Sequence, residues 1–245
     1  MSQMDLSIII PAYEESKKIA ADVKAAAAFL QTNHFAGEII VVDDGSSDNT
    51  TQAAEAAARL ISSEVSLNVI RNDEHRGKGY AVRTGMAQSK GEYVMFADSG
   101  SCVPYENTLD GLKLLKSGGC DIANGSRKMQ GCDIQRGQSW HRRMFSRLFR
   151  LFIVHVIGVP AEFTDTQCGF KVYRGEVARQ LYGRCITDGF SFDVEVILRA
   201  RKAGYRIKEF PVTWTCDPDS RLSAARSLGP VLRELIAVKR AVARD

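Results

Sequence analysis

Four short stretches of the chain bring together residue types that suit a phosphorylated, hydroxyl-bearing ligand. "VVDDGSSDNT" (41–50) sets Asp43 and Asp44 after an apolar run, where a carboxylate accepts hydrogen bonds from a nucleobase N–H or a ribose hydroxyl. "HRGKGYAVRTG" (75–85) offers Arg76, Lys78 and Arg83 at the start of a helical pattern, where backbone N–H groups and cations suit a diphosphate. It is not a P-loop, because GxxxxGK followed by Ser or Thr is absent from the chain. "EYVMFADSGSCVP" (92–104) delivers one carboxylate, Asp98, to the end of another apolar run, with Gly100 two residues on. In "WHRRMFSRLFRLFIVHVIGVP" (140–160), Phe145, Leu148, Phe149, Phe152 and Val156 fall at helical spacing, with Arg143, Arg147 and Arg150 on another side. That pattern reads as a helix lying at a membrane surface, its apolar part well short of the ~20 residues that span a bilayer; a core-packed helix with solvated arginines is the alternative.

The elements that must position these residues follow from alternation. Apolar runs at 6–10, 38–42, 67–70 and 93–97 are each followed by a helical pattern, at 14–32, 48–62, 78–89 and 105–117. Runs apolar throughout, separated by helices, predict a doubly wound, mostly parallel α/β sheet with helices on both faces. Ligands gather beyond the carboxyl ends of such strands, where the motifs lie. The second half predicts a basic amphipathic stretch (139–158), an irregular segment "TDTQCGFKVY" (164–173), a helix at 190–203, a strand at 205–214 and a closing helix at 228–243. It is expected to add to the same sheet, giving one domain over 1–245 with a nucleotide-binding half (1–125) and an acceptor-facing half (126–245).

Composition excludes several classes. A chain of 245 residues, 44% hydrophobic and 25% charged, is globular rather than disordered. The six cysteines form no CxxC pair, so neither a zinc knuckle nor a disulfide scaffold is expected. The start "MSQMDLSIII" has no basic region or long apolar stretch, which predicts a cytoplasmic protein. A formal charge of +4 is too mild for a nucleic-acid binder. Its distribution is uneven: Arg127, Lys128, Arg136, Arg142, Arg143, Arg147 and Arg150 face only Asp133 between 125 and 150, which asks for an anionic partner.

"SIIIPAYEE", "IIVVDDGSSDNT", "RGKGYAVRTG", "VMFAD", "NGSR", "DTQCGFKVYR" and "FDVEVILRARKAGYRIKEFPVTW", in this order, resemble the family-2 glycosyltransferases of GT-A fold, a Rossmann-like architecture. Within these, the dolichyl- and polyprenyl-phosphate glucosyl- and mannosyltransferases are most similar, over nearly the whole chain to about Ser223. The resemblance implies a nucleotide-sugar site of Pro11, Ala12, Tyr13, Glu15, Asp43, Asp44, Lys78 and Asp98, with Glu14 standing where Asn is usual. It implies an acceptor-phosphate site of Ser126, Arg127, Arg142 and Arg143, and a donor loop with Gln167, Lys171, Ser220 and Arg221. Catalytic roles fall to Asp98, Asp165 and Arg127. The implied partners are a UDP- or GDP-sugar, a polyprenyl-phosphate lipid and the cytosolic face of a membrane, touched peripherally.

Asp98 matches the first acid of the family's Asp-x-Asp, which binds Mg²⁺ or Mn²⁺; Gly100 stands in place of the second. Three readings follow: a metal held by Asp98 with water filling the vacancy, a leaving group neutralised by Lys78, Lys171 or Arg221, or a homologue that binds nucleotide sugar without catalysis. The nucleophile is open as well. A sugar hydroxyl needs a general base, for which Asp165 is the candidate, whereas a phosphate is ionised near pH 7 and needs only positioning.

Overall fold

The computed structural model describes residues 4–136, 147–215 and 224–244. Strands β1 (Leu6–Ala12), β2 (Gly37–Asp43) and β4 (Tyr93–Ala97) are buried along their whole length, as their unbroken apolar runs require, and β3 (Ser66–Arg71) is a half-exposed edge. With β5 (Ile122–Ser126), β7 (Phe170–Arg174) and β8 (Ile207–Pro211) they form one seven-stranded sheet in the order β3-β2-β1-β4-β7-β5-β8. All neighbours are parallel except β7, which runs antiparallel to both β4 and β5. The carboxyl ends of β1, β2, β4 and β5 therefore share one edge, and the segment entering β7 joins them there.

Helices cover both faces. β1 turns Leu6, Ile8 and Ile10 toward α1 (Ile19–Thr32), α2 (Thr50–Ala57) and α4 (Thr108–Lys116), while Ile9 faces α3 (Lys78–Gln88), α6 (Gly175–Tyr182) and α7 (Phe192–Lys202). A third cluster joins α7 to α5, described from 147 and running into a π-helical turn at Ile153–Ile157, and to α8 (Ala224–Arg244) through Ile153, Ile157, Val194, Ile197 and Leu235. No helix among the described residues is long and apolar enough to cross a membrane.

Several expectations need correction. α1 starts at Ile19 rather than 14, because Glu14 takes a left-handed conformation (φ 54°) and its carboxylate accepts from Ser47 N (2.6 Å) and Oγ (2.8 Å), tying the loop after β1 to the loop after β2. The segment 164–173, expected to be irregular, ends in strand β7: Lys171 interrupts its apolar run, yet that lysine is buried. The single strand expected at 205–214 divides after Pro211, which has no N–H to continue the ladder; β9 (Thr213–Thr215) pairs instead with β6 (Asp133–Arg136).

Candidate functional site

Beyond β1 and β2, the carboxylates of the nucleotide-binding motif are occupied by the chain itself. Asp43, fully buried, accepts from Ser46 N (2.9 Å) and from the Thr51 hydroxyl. Asp44, also buried, accepts from Asn72 Nδ2 (2.9 Å), Gly77 N (2.6 Å) and Arg76 N (3.2 Å), and His75 Nδ1 lies 2.8 Å from its Oδ2. The His75 ring stacks on Tyr13 with centroids 3.9 Å apart. Pro11 and Ala12 are buried in β1, and Glu15 N donates to Thr50 Oγ1 (2.8 Å). Around the start of α3, where a diphosphate was expected, Gly77 N is on Asp44 and Tyr80 N donates to the Asp188 carbonyl (3.1 Å). Arg76 and Arg83 both pair with the Asp188 carboxylate. Lys78 alone of that motif's three cations points to Asp98.

At the end of β4, Lys78 Nζ lies 2.5 Å from Asp98 Oδ1. The Asp98 carboxylate lies directly over Gly169, where a Cβ would collide with it, and Asp98 N donates to the Gly169 carbonyl (3.0 Å). The glycine of "DTQCGFK" is thus required by the acid of "VMFAD". Beneath them Lys171 Nζ, buried in β7, donates to Asp193 Oδ1 of α7 (2.6 Å) and to the Cys168 carbonyl (2.6 Å). Lys78 lies 5.8 Å from the Phe96 ring centroid and 5.7 Å from that of Phe192; Lys171 lies 5.3 Å from Phe96. Burial works against the Lys78 ammonium, but Asp98 and Asp193 outweigh it and hold the pKa above that of an ordinary lysine.

Across the rim, Arg127 and Asp165 form a two-pronged pair, Nε to Oδ2 at 2.6 Å and Nη2 to Oδ1 at 2.9 Å. Asp165 is buried, which would raise its pKa, yet the Arg127 guanidinium holds it at about 2. Glu209 fixes the loop by accepting from Thr164 N (2.7 Å) and Asp165 N (2.9 Å), Ser126 Oγ is 2.6 Å from Thr164 Oγ1, and Gln167 N donates to Asp165 Oδ1 (3.3 Å). Beside the pair opens a small pocket of about 40 Å³, lined by Arg127, Lys128 and Arg150, by the polar Thr164, Asp165, Thr166 and Gln167, and by the apolar Phe149, Ile153, Val154, Val159 and Phe163. Arg150 anchors there by donating to the carbonyls of Phe163 (2.5 Å) and Ala161 (2.7 Å). Burial, with the like charges of Arg127 and Arg150, pulls the Lys128 pKa below that of an ordinary lysine. Three cations gathered beside apolar side chains suit an anionic head.

The described residues fit a resident divalent cation poorly. No group of three His, Cys, Asp or Glu side chains converges among them. Asp98, the acid that the family pattern offers to a metal, already has a lysine on it. Gly100, in place of a second acid, has φ 90°, and its N–H donates to Asp22 Oδ2 (2.8 Å).

With this geometry in view, the model of "Glycosyl transferase family 2" matches residues 7–181. The chain belongs to that family. It is thus a glycosyltransferase, and its seven-stranded sheet is a GT-A-like fold. Among curated relatives, the dolichyl-phosphate beta-glucosyltransferase of Drosophila melanogaster is 32% identical over 245 residues, covering 96% of this chain and 74% of that one. Glycosyltransferase AglD of Haloferax volcanii is 27% identical over 231 residues; the match takes in 92% of this chain but only 35% of AglD. The fold is shared with glucosyl-3-phosphoglycerate synthase from Mycobacterium tuberculosis, solved with Mn²⁺, UDP-glucose and phosphoglyceric acid, at TM-score 0.71 and 18% identity, covering 96% of this chain and 80% of that one.

Of the residues expected at a family-2 site, Pro11, Ala12, Tyr13, Glu15, Asp43, Asp44, Lys78, Asp98, Ser126, Arg127, Asp165, Gln167 and Lys171 lie along this edge or directly beneath it. Arg142, Arg143, Ser220 and Arg221 lie outside the described residues. Asp22, Lys128, Arg150 and Asp193 had not been assigned to the site. Asp22 had left a signal, being an acid on the buried stripe of α1 between Ile19 and Val23.

Proposed function

We propose that the chain transfers a hexose from a UDP- or GDP-sugar to a polyprenyl phosphate, with inversion at the anomeric carbon, at the cytosolic surface of a membrane. The small pocket in which Arg127, Lys128 and Arg150 gather beside Phe149, Ile153 and Phe163 carries this reading, since its cations suit an anionic acceptor head and its apolar side chains suit the start of a lipid chain. The names of the relatives favour glucose as the hexose.

In this reading the donor lies over Asp98 and Lys78, and the acceptor phosphate enters from the Arg127 side. One phosphate oxygen attacks the anomeric carbon in line, the bond from that carbon to the nucleotide diphosphate breaks, and its electron pair leaves with the diphosphate. No proton needs removal from an ionised phosphate, and Asp165 is suited to holding Arg127 rather than to accepting one: a carboxyl of pKa about 2, clamped by a guanidinium, is a weak base. That argues against a hydroxyl acceptor. Asp98 would be the one described protein ligand of a Mg²⁺ or Mn²⁺ brought by the donor, so the steps above assign that ion nothing.

The test is transfer from radiolabelled UDP-glucose and GDP-mannose by the full chain, with and without polyprenyl phosphate. Label passing into an organic-extractable lipid only when polyprenyl phosphate is present supports the reading. Label passing to a soluble saccharide contradicts it.

A further inference from the structure

A divalent cation at a nucleotide-sugar site does two things: it supplies positive charge beside the departing diphosphate, and it fixes the position of the acidic turn and the phosphate oxygens. In this chain both tasks have other residues in place.

The turn after β4 is fixed by Asp22. This acid lies on α1, is 2% exposed, and accepts from Gly100 N at 2.8 Å and from Ser101 Oγ at 2.6 Å. Gly100 and Ser101 both take left-handed conformations (φ 90° and 49°), so the turn bends onto α1, and position 100 is one that an L side chain rarely adopts. A carboxylate buried on an apolar helix face costs stability unless it is well hydrogen-bonded; these donors offset part of that cost, and burial still holds the Asp22 pKa above that of an ordinary aspartate. The charge is supplied by lysine. Lys78 Nζ, 2.5 Å from Asp98 Oδ1, lies 5.8 Å and 5.7 Å from the Phe96 and Phe192 ring centroids, and Lys171, 5.3 Å from the Phe96 centroid, is itself neutralised by Asp193.

We infer that the donor's diphosphate binds here without a divalent cation, with Lys78 carrying the charge and Asp22 holding the turn that presents Asp98. Asp22 is a positioning residue that reaches the donor only through the 98–101 turn. The inference deepens the donor reading above and depends on it.

Calorimetric titration of the full chain with UDP, and separately with GDP, in excess EDTA and in excess Mn²⁺, tests it. The favoured nucleotide is expected to bind with dissociation constants within about threefold in the two buffers. The Mn²⁺ electron paramagnetic resonance signal is expected to fall no further on adding protein than the nucleotide alone accounts for. Lys78→Met weakens binding about tenfold or more in both buffers, and Lys78→Arg restores most of it. Mn²⁺ tightening wild-type binding more than about tenfold, or protein-dependent loss of the Mn²⁺ signal, overturns the inference and leaves the donor reading standing. Failure of both nucleotides to bind in either buffer overturns the donor reading and this inference with it.

Discussion

Lys128→Met keeps an unbranched apolar stem while removing one of the three charges that meet at the acceptor pocket. The Michaelis constant for polyprenyl phosphate is expected to rise about tenfold with that for the nucleotide sugar unchanged, measured by varying each substrate in turn. Arg127 is a poorer probe: its removal strands the buried Asp165 carboxylate at a cost of about 3–5 kcal/mol, so lost activity would report unfolding. The same pair predicts a pH dependence. Asp165 has a folded pKa of about 2 against 3.8 for an ordinary aspartate, so its contribution is nearly complete above about pH 4 and is lost as pH falls through 2. Urea unfolding of the wild type should lose about 2 kcal/mol over that interval through this group, and Asp165→Asn should show a correspondingly flatter profile.

At the level of elements, the 98–101 turn decides whether an acid can be restored. Gly100→Asp forces a side chain onto φ 90°, so it is expected to destabilise by about 1–2 kcal/mol in thermal unfolding and to leave Mn²⁺ binding unchanged. A gain of Mn²⁺ binding would show that the turn can deliver a second ligand. This turn also marks how far the sequence could be read. Strands β1, β2 and β4 and the acids at their ends were legible, because parallel strands buried on both faces are written as unbroken apolar runs. β7 was hidden: it contains Lys171, whose compensating acid, Asp193, is 22 residues away on α7. Asp43 and Asp44 were legible as clustered acids but not as saturated ones, since Asn72, His75 and Gly77 reach Asp44 from another loop.

For the whole molecule, the acceptor pocket is walled by α5, and α5 also carries the solvent-facing apolar residues Leu148, Leu151 and Val156, each 45–55% exposed. The periodicity had placed Phe145, Leu148, Phe149, Phe152 and Val156 on one stripe; Phe145 lies outside the described residues, Phe149 and Phe152 pack on the α7–α8 cluster, and Leu148 and Val156 are left at the surface. An exposed apolar set beside a cationic pocket is the arrangement a peripheral enzyme needs to meet a lipid head at the bilayer surface. Leu148→Ser with Leu151→Ser should lower cosedimentation with vesicles of anionic phospholipid several-fold and leave nucleotide binding in solution unchanged. Equal sedimentation of variant and wild type would remove this face from membrane contact.

A crystal structure of the full chain with UDP and a short-chain polyprenyl phosphate tests the account most directly. It should place the UDP diphosphate against Lys78, and the lipid phosphate within hydrogen-bonding distance of Arg127 and Lys128 with its chain among Phe149, Ile153 and Phe163. A lipid phosphate bound away from those cations, or a nucleotide away from the Asp98 edge of the sheet, would contradict it.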